Sequence, residues 1–171
     1  MLSKKLEKEL NKQINAELFS AYLYLSMASY LDSKNLTGFA HWMKMQYKEE
    51  QLHAQKLYDY VNERGGRVIF SQIESPKTEW KDVIEVFKDT YSHEQKVTGL
   101  INNLVNISLE EKDHATVNML QWFVSEQVEE EASASDIFEK LKYIDGKGPG
   151  LFMMDRELMQ RSFSPMTQEQ N

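Results

Sequence analysis

The feature that most constrains this 171-residue chain is where its glycines and prolines stand. They cluster at Gly65-Gly66, Ser75-Pro76 and Gly146 to Gly150, and long segments between these points run without such a cluster. Glycine and proline are the residues that end regular structure, so segments of that length read as helices. Apolar residues recurring at steps of three and four place helices at about 4–32, 37–64, 80–110 and 113–144, with a short fifth one at about 151–161. Asp32 to Leu36 joins the first pair and the residues around Glu111 to Asp113 join the second, so each pair is expected to form an antiparallel hairpin. Residues 65–79 differ: extended, they reach roughly 50 Å, more than the ~42 Å of the second helix. They are expected to cross from one end of the bundle to the other. The expected fold is therefore all-α, a four-helix bundle with one long crossover and a short fifth C-terminal helix, in one domain over residues 1–171.

Writing out the core seam of each helix exposes a second regularity. The first helix reads Leu10, Ile14, Glu17, Ala21, Tyr24, Ala28, Leu31, and the second reads Leu36, Phe39, Met43, Gln46, Glu50, His53, Leu57, Tyr60. The third gives Trp80, Val83, Phe87, Thr90, Glu94, Val97, Ile101, Leu104, and the fourth Leu120, Phe123, Gln127, Glu130, Ala134, Ile137, Leu141, Ile144. Each apolar stripe is interrupted by an acid near the middle of its helix, so Glu17, Glu50, Glu94 and Glu130 share one level whichever way the helices point.

Four carboxylates converging in a low-dielectric core would repel one another and lose their hydration, so a positive partner is required. No lysine or arginine occupies a seam position near that level, whereas two divalent cations would balance the four charges. Carboxylates with one imidazole suit iron or manganese, and Glu50-Gln51-Leu52-His53 sets both ligand types on one helix face at i and i+3. A lone Glu-x-x-His is commonly a solvated pair; four coincident interruptions reverse that reading.

Composition removes other possibilities. The absence of cysteine excludes disulfides, thiolate zinc sites, iron–sulfur ligation and a cysteine nucleophile, and it fits a reducing compartment. A net charge of -7 disfavours nucleic acid as a partner. Leu18 to Leu31, the longest uncharged run, is too short and too rich in Ser and Tyr to span a membrane, and residues 1–20 lack a signal-peptide core. A soluble cytoplasmic protein is expected. Neither a Gly-rich phosphate loop opening a helix nor a persuasive Ser/His/Asp set is present.

With these residues in view, the chain resembles the ferritin family, most closely the non-haem bacterial and archaeal ferritins. The resemblance rests on Glu17 followed by Tyr22-Leu23-Tyr24-Leu25, on Gly38-Phe39-Ala40-His41-Trp42, on Glu49-Glu50-x-x-His53, on Glu63-Arg64-Gly65-Gly66 and on Glu126-Gln127-Val128-Glu129-Glu130. Leu151-Phe152-Met153-Met154-Asp155-Arg156-Glu157-Leu158 is similar to the family's short fifth helix. The resemblance implies a hollow homo-oligomeric cage of twenty-four subunits. Such a cage oxidises Fe(II) with O2 or H2O2 at a diiron ferroxidase centre in each subunit and stores the Fe(III) as mineral.

Carried over by position, it makes Glu17, Glu50 and His53 ligands of one iron and Glu50, Glu94 and Glu130 ligands of the other, bridged by Glu50. Gln127 would sit beside the second iron as a hydrogen-bonding amide, and Tyr24 would hydrogen-bond a ligand or donate an electron, unless it is a plain core tyrosine. Glu49, Glu126 and Glu129 match a third iron position that shares Glu130, although a solvated charged face is the ordinary reading of such acids. Bacterioferritin, the haem-containing relative, repeats Glu-x-x-His on its fourth helix and has a haem-ligating Met after the first Glu of the second-helix motif. Here Gln127 and Glu130 fill the first spacing and Gln51 the second position, so no haem is expected. Met43 and Met45 read as core or interface residues, His41, His93 and His114 as surface or interface residues, and Trp122 as either a redox neighbour or a contact between subunits. The fifth-helix residues favour the cage over a rubrerythrin-like peroxidase or dimanganese catalase, and ligands on four helices disfavour a structural bundle that binds metal incidentally. Leu151, Phe152, Met154, Leu158 and Met159 give the fifth helix an apolar face too large for one short helix to hide, which implies burial against neighbouring subunits.

Overall fold

The computed structural model describes residues 1–162 and places in them five helices: α1 (Lys4–Ser33), α2 (Thr37–Glu63), α3 (Val83–Glu110), α4 (His114–Tyr143) and α5 (Gly148–Leu158). α1 packs along α2 and α3 along α4, the two hairpins expected. Each of the four long helices ends in the same way. Asn35, Gly65, Lys112 and Asp145 take left-handed backbone just beyond the last turn. The next residue then donates back to the carbonyl of Leu31, Val61, Ser108 or Leu141 at 2.9–3.1 Å. Only one of these four stops uses glycine, so the other ends were visible in sequence only through the loss of apolar period.

At their starts, Ser3, Asp82 and Asp113 accept from the backbone N–H of Leu6, Glu85 and Thr116. Asp82 explains why α3 begins at Val83 and not at 80: Trp80 is buried all the same, but from extended chain whose carbonyl accepts from the Tyr30 hydroxyl. α2 has no cap of its own. The side chain of Asp155 in α5 supplies it, accepting from the N–H of Gly38 at 2.8 Å and of Phe39 at 3.1 Å.

The crossover follows α1 from its beginning to its end. Asn11 donates to the carbonyl of Arg67 and accepts from the N–H of Ile69; farther along, Ser26 donates to the carbonyl of Lys77 and Tyr30 to that of Trp80. This course returns the chain to the end from which α2 departs, so α3 runs parallel to α2. No helix among the described residues is long and apolar enough to cross a membrane.

The fifth helix begins earlier than the expected 151, because Pro149 lies in its first turn, where a missing N–H costs nothing, and it ends at Leu158 instead of 161. Its apolar face is divided. Leu151, Met154 and Leu158 pack against the chain's own bundle, while Phe152 and Met153 remain 65% and 70% exposed and Met159 40%. Covering by neighbouring subunits can therefore apply only to the outer part of the face proposed from sequence.

Candidate metal centre

The bundle core consists of two apolar clusters, one built around Tyr24, Phe39, Phe87 and Leu141 and the other around Leu10, Leu57, Ile101 and Phe123. Between them lies a polar layer. Glu17 of α1, Glu50 and His53 of α2, Glu94 of α3 and Glu130 of α4 are all buried, which is where the seam pattern puts them. Glu17, Glu50 and His53 each offer a ligand atom within 4.8 Å of the other two, and His53 Nδ1 stands 3.4 Å from Glu50 Oε2. The imidazole is packed edge-on against Trp122 and Phe123, at centroid distances of 5.4 and 5.9 Å.

Neutral donors hold three of the four carboxylates. Gln13 Nε2 donates to Glu17 Oε1 at 2.8 Å, Gln46 Nε2 to Glu130 Oε2 at 2.7 Å, and Gln127 Nε2 to Glu94 Oε2 at 3.2 Å. The Tyr24 hydroxyl donates to Glu94 Oε1. Glu17 Oε2 and Glu50 Oε2 are buried and accept from no fixed donor; beside each stands the other's carboxyl, and His53 Nδ1 lies 3.4 Å from Glu50 Oε2. Leaving a buried acceptor unpaired costs about 1–3 kcal/mol, more for a charged one. No lysine or arginine is among the buried residues described that might relieve it. Unpaired carboxylate oxygens beside an imidazole, in a layer without fixed positive charge, fit a divalent cation.

The electrostatics agree. Burial, reinforced by Glu50, pushes the Glu17 carboxyl well above the usual carboxylate range, and burial with Glu94 does the same to Glu50. Burial and Glu130 push Glu94 up to about 8, although the hydrogen bonds from Tyr24 and Gln127 act the other way. These groups hold protons near neutrality that a bound cation displaces. Divalent-cation affinity is therefore expected to rise with pH up to about pH 8, where Glu94 gives up its proton, with proton release seen as a binding heat that varies with the ionisation enthalpy of the buffer. A buffer-independent heat would contradict it. Without metal the sign reverses. An unfolded carboxyl ionises near 4.5 and Glu94 in the bundle near 8, so the native state binds more protons across that interval and its stability falls as pH rises through it.

The remaining residues lie outside this layer. Glu49 and Glu126 are half-buried and Glu129 is exposed. Burial pushes Glu49 up to about 7, with Glu130 and Glu126 adding to it and Arg161 opposing, and Glu126 is raised by burial, Glu129 and Glu130. Among the described residues these acids do not close into a ligand group as Glu17, Glu50 and His53 do. Glu49 instead pairs with Arg161 at 2.6 Å. Trp122 packs on His53 and carries the Lys56 ammonium 4.5 Å above its ring. His93 meets the Ser20 hydroxyl and the edge of Tyr24, and burial lowers its pKa to about 4, which keeps the imidazole neutral. His41 contacts the carbonyl of Arg161, and His114 is exposed.

Sequence reasoning assigned no role to Gln13, Gln46 or Arg161. Gln13 was detectable as the residue one turn before Glu17, and Gln46 as the amide one seam step before Glu50. Nothing in sequence joins Arg161 to Glu49, 112 positions away.

Residues 7–144 match the family model of the ferritin-like domain. Among curated proteins, the bacterial non-heme ferritin of Staphylococcus haemolyticus is 44% identical over 163 residues, which are 95% of this chain and 98% of that protein. The bacterial non-heme ferritin of Staphylococcus epidermidis is 42% identical over 164 residues, 96% and 99% of the two chains. Among solved structures, an open-pore ferritin from the hyperthermophilic archaeon Archaeoglobus fulgidus shares 52% identity with a TM-score of 0.94, covering 95% of this chain and all of that one. An engineered closed form of Archaeoglobus fulgidus ferritin is similar to the same degree, again at 52% identity and a TM-score of 0.94.

Proposed function

This chain belongs to the ferritin family, and from that premise we propose that it stores iron in the cytoplasm, oxidising Fe(II) at a diiron centre within each subunit and keeping the Fe(III) as mineral inside a homo-oligomeric cage of twenty-four subunits. The observation that carries this reading is the pair of buried, unpartnered oxygens on Glu17 and Glu50 beside His53.

Iron is the substrate here. Glu17, Glu50 and His53 would hold one Fe(II), and Glu50, Glu94 and Glu130 the other. Gln13 and Gln46 each fix one oxygen of a carboxylate and leave the other without an amide, whereas Glu94 is held at both oxygens, by Gln127 and Tyr24, so the carboxylates are oriented before the substrate arrives. Glu50 receives no amide, as suits the group that bridges. Two ferrous ions give one electron each, matching the two electrons and two protons that turn O2 into H2O2 or H2O2 into two waters. Protons displaced from the carboxyls supply part of that demand. Tyr24, hydrogen-bonded to Glu94, orients this ligand.

Adding excess Fe(II) to the metal-free protein in air, while following ferric absorbance and particle mass together, tests the reading. Rapid oxidation with growth of an enclosed iron core is the expected result, and oxidation without retained iron would reduce the protein to a redox enzyme. Glu49, Glu126 and Glu129 enter afterwards. Replacing all three by glutamine is expected to alter the ratio of iron oxidised to oxygen consumed, or the turnover of ferric product, with the first burst still fast. Loss of the burst in stopped-flow measurements would remove the third position from this scheme.

A further inference from the structure

Arg161 lies three residues beyond the end of α5, and its side chain returns to α2. Its guanidinium carbon sits 4.5 Å from the centre of the Trp42 ring, its backbone carbonyl meets His41 Nε2 at 2.8 Å, and Nη2 donates to Glu49 Oε2 at 2.6 Å. The contact is one-sided, because Nη1 is buried with no acceptor at all. An arginine paired with a carboxylate ordinarily uses both arms of its fork. Here the second arm finds no partner, so the pair is held in position without being saturated. Glu49 in turn faces Glu126, beside the polar layer, and Glu130, within it.

We propose that Arg161 is an internal competitor for the outer cation position formed by Glu49, Glu126 and Glu129, so that a metal ion binds there only by displacing the guanidinium from Glu49. The proposal rests on the third iron position described above and adds what regulates it. A protein cation already occupies the ligand that this position needs. Stacking on Trp42 and the His41 contact hold that cation in place, and the unpaired Nη1 regains hydration on release. Docking of the α5 end and occupancy of the outer position then oppose each other, and by linkage the coupling is reciprocal: a metal at Glu49 loosens the α5 end, and a loosened α5 end tightens metal binding. The outer position is then empty at low metal concentration and fills only when the concentration is high enough to displace the guanidinium.

Zn(II), which cannot be oxidised, separates binding from turnover. Calorimetric titration of the assembled metal-free protein is expected to give two tight equivalents per subunit and a weaker third. Arg161→Gln should tighten the third step at least about fivefold while leaving the first two unchanged. Arg161→Lys, which keeps the charge but loses the stacked fork, should fall between the two. In the wild-type protein the third equivalent should raise amide hydrogen exchange across residues 155–162, and Glu49→Gln should abolish both effects. An unchanged third step in Arg161→Gln, no third step in either protein, a third step that survives Glu49→Gln, or an equal shift of all three steps would each overturn the proposal. The diiron reading fails separately, if the two tight equivalents are missing from the wild-type protein or persist in Glu50→Ala.

Discussion

A Glu50→Ala protein is expected to fold and assemble like the wild type and to oxidise Fe(II) at least about 100-fold more slowly in the initial phase. Glu50 is the carboxylate that would touch both ions, and one of its oxygens is buried with no partner. Its removal takes a ligand from each ion at once. In the metal-free bundle the packing lost with the buried side chain is offset by the removal of a buried carboxyl. Burial and the neighbouring Glu94 disfavour the ionised form of Glu50, so deleting the carboxyl relieves repulsion, and thermal stability without metal should hold or rise. His53→Ala should lose the burst as well but melt lower, because it also removes a buried ring that packs against both Trp122 and Phe123. Stopped-flow ferric absorbance and thermal unfolding measure the two consequences. Fast oxidation in the Glu50 variant would remove this layer from the chemistry, and a destabilised metal-free variant would mean that the carboxyl is structural.

Ending the chain before Leu151 should convert iron-retaining cages into smaller particles that oxidise Fe(II) but do not keep it. Three losses combine. The cap that Asp155 provides to the start of α2 disappears, at a cost of about 1 kcal/mol. Leu151, Met154 and Leu158 no longer cover the apolar cluster beneath them. The outward Phe152 and Met153, exposed in the single chain and suited to a contact between subunits, are gone. The polar layer draws its ligands from α1 to α4 and should survive. Gly38→Ala offers a gentler version that keeps every other residue. A Cβ at that position would lie 1.6 Å from the Asp155 carbonyl oxygen, so α5 has to move away from α2. Particle mass and retained iron after loading decide the matter: a truncated chain that stores iron as well as the intact one would show that α5 has no part in closing the cage.

Much of this was legible in the sequence because helices and seams are local. Step-three and step-four periodicity placed α1 to α4 to within three residues, and almost every seam residue from Leu10 to Leu141 is buried as expected. The convergence of Glu17, Glu50, Glu94 and Glu130 on one level followed from helix rise, the need for positive charge from their mutual repulsion, and the expectation of metal cations from the absence of lysine and arginine at that level. The fifth helix was less legible. Gly146 to Gly150 looked like a breaker, yet Pro149 fits a first helical turn, and the apolar face belongs partly to the chain's own bundle.

Spacing along regular helices was enough to read the bundle and the identity and common level of the buried acids, and loop length was enough to read the crossover. How Glu94 and Glu130 are held, and which oxygens lack a fixed donor, emerged only from the packing of one helix on another. The Gln46–Glu130, Gln127–Glu94 and Tyr24–Glu94 contacts each bridge two helices. The same holds for Asp155 as the cap of α2 and for Arg161 on Glu49, more than a hundred positions apart in each case. Such pairs depend on the rotation and register of one helix against another, which are fixed by packing across the whole core and leave no periodic mark in the chain.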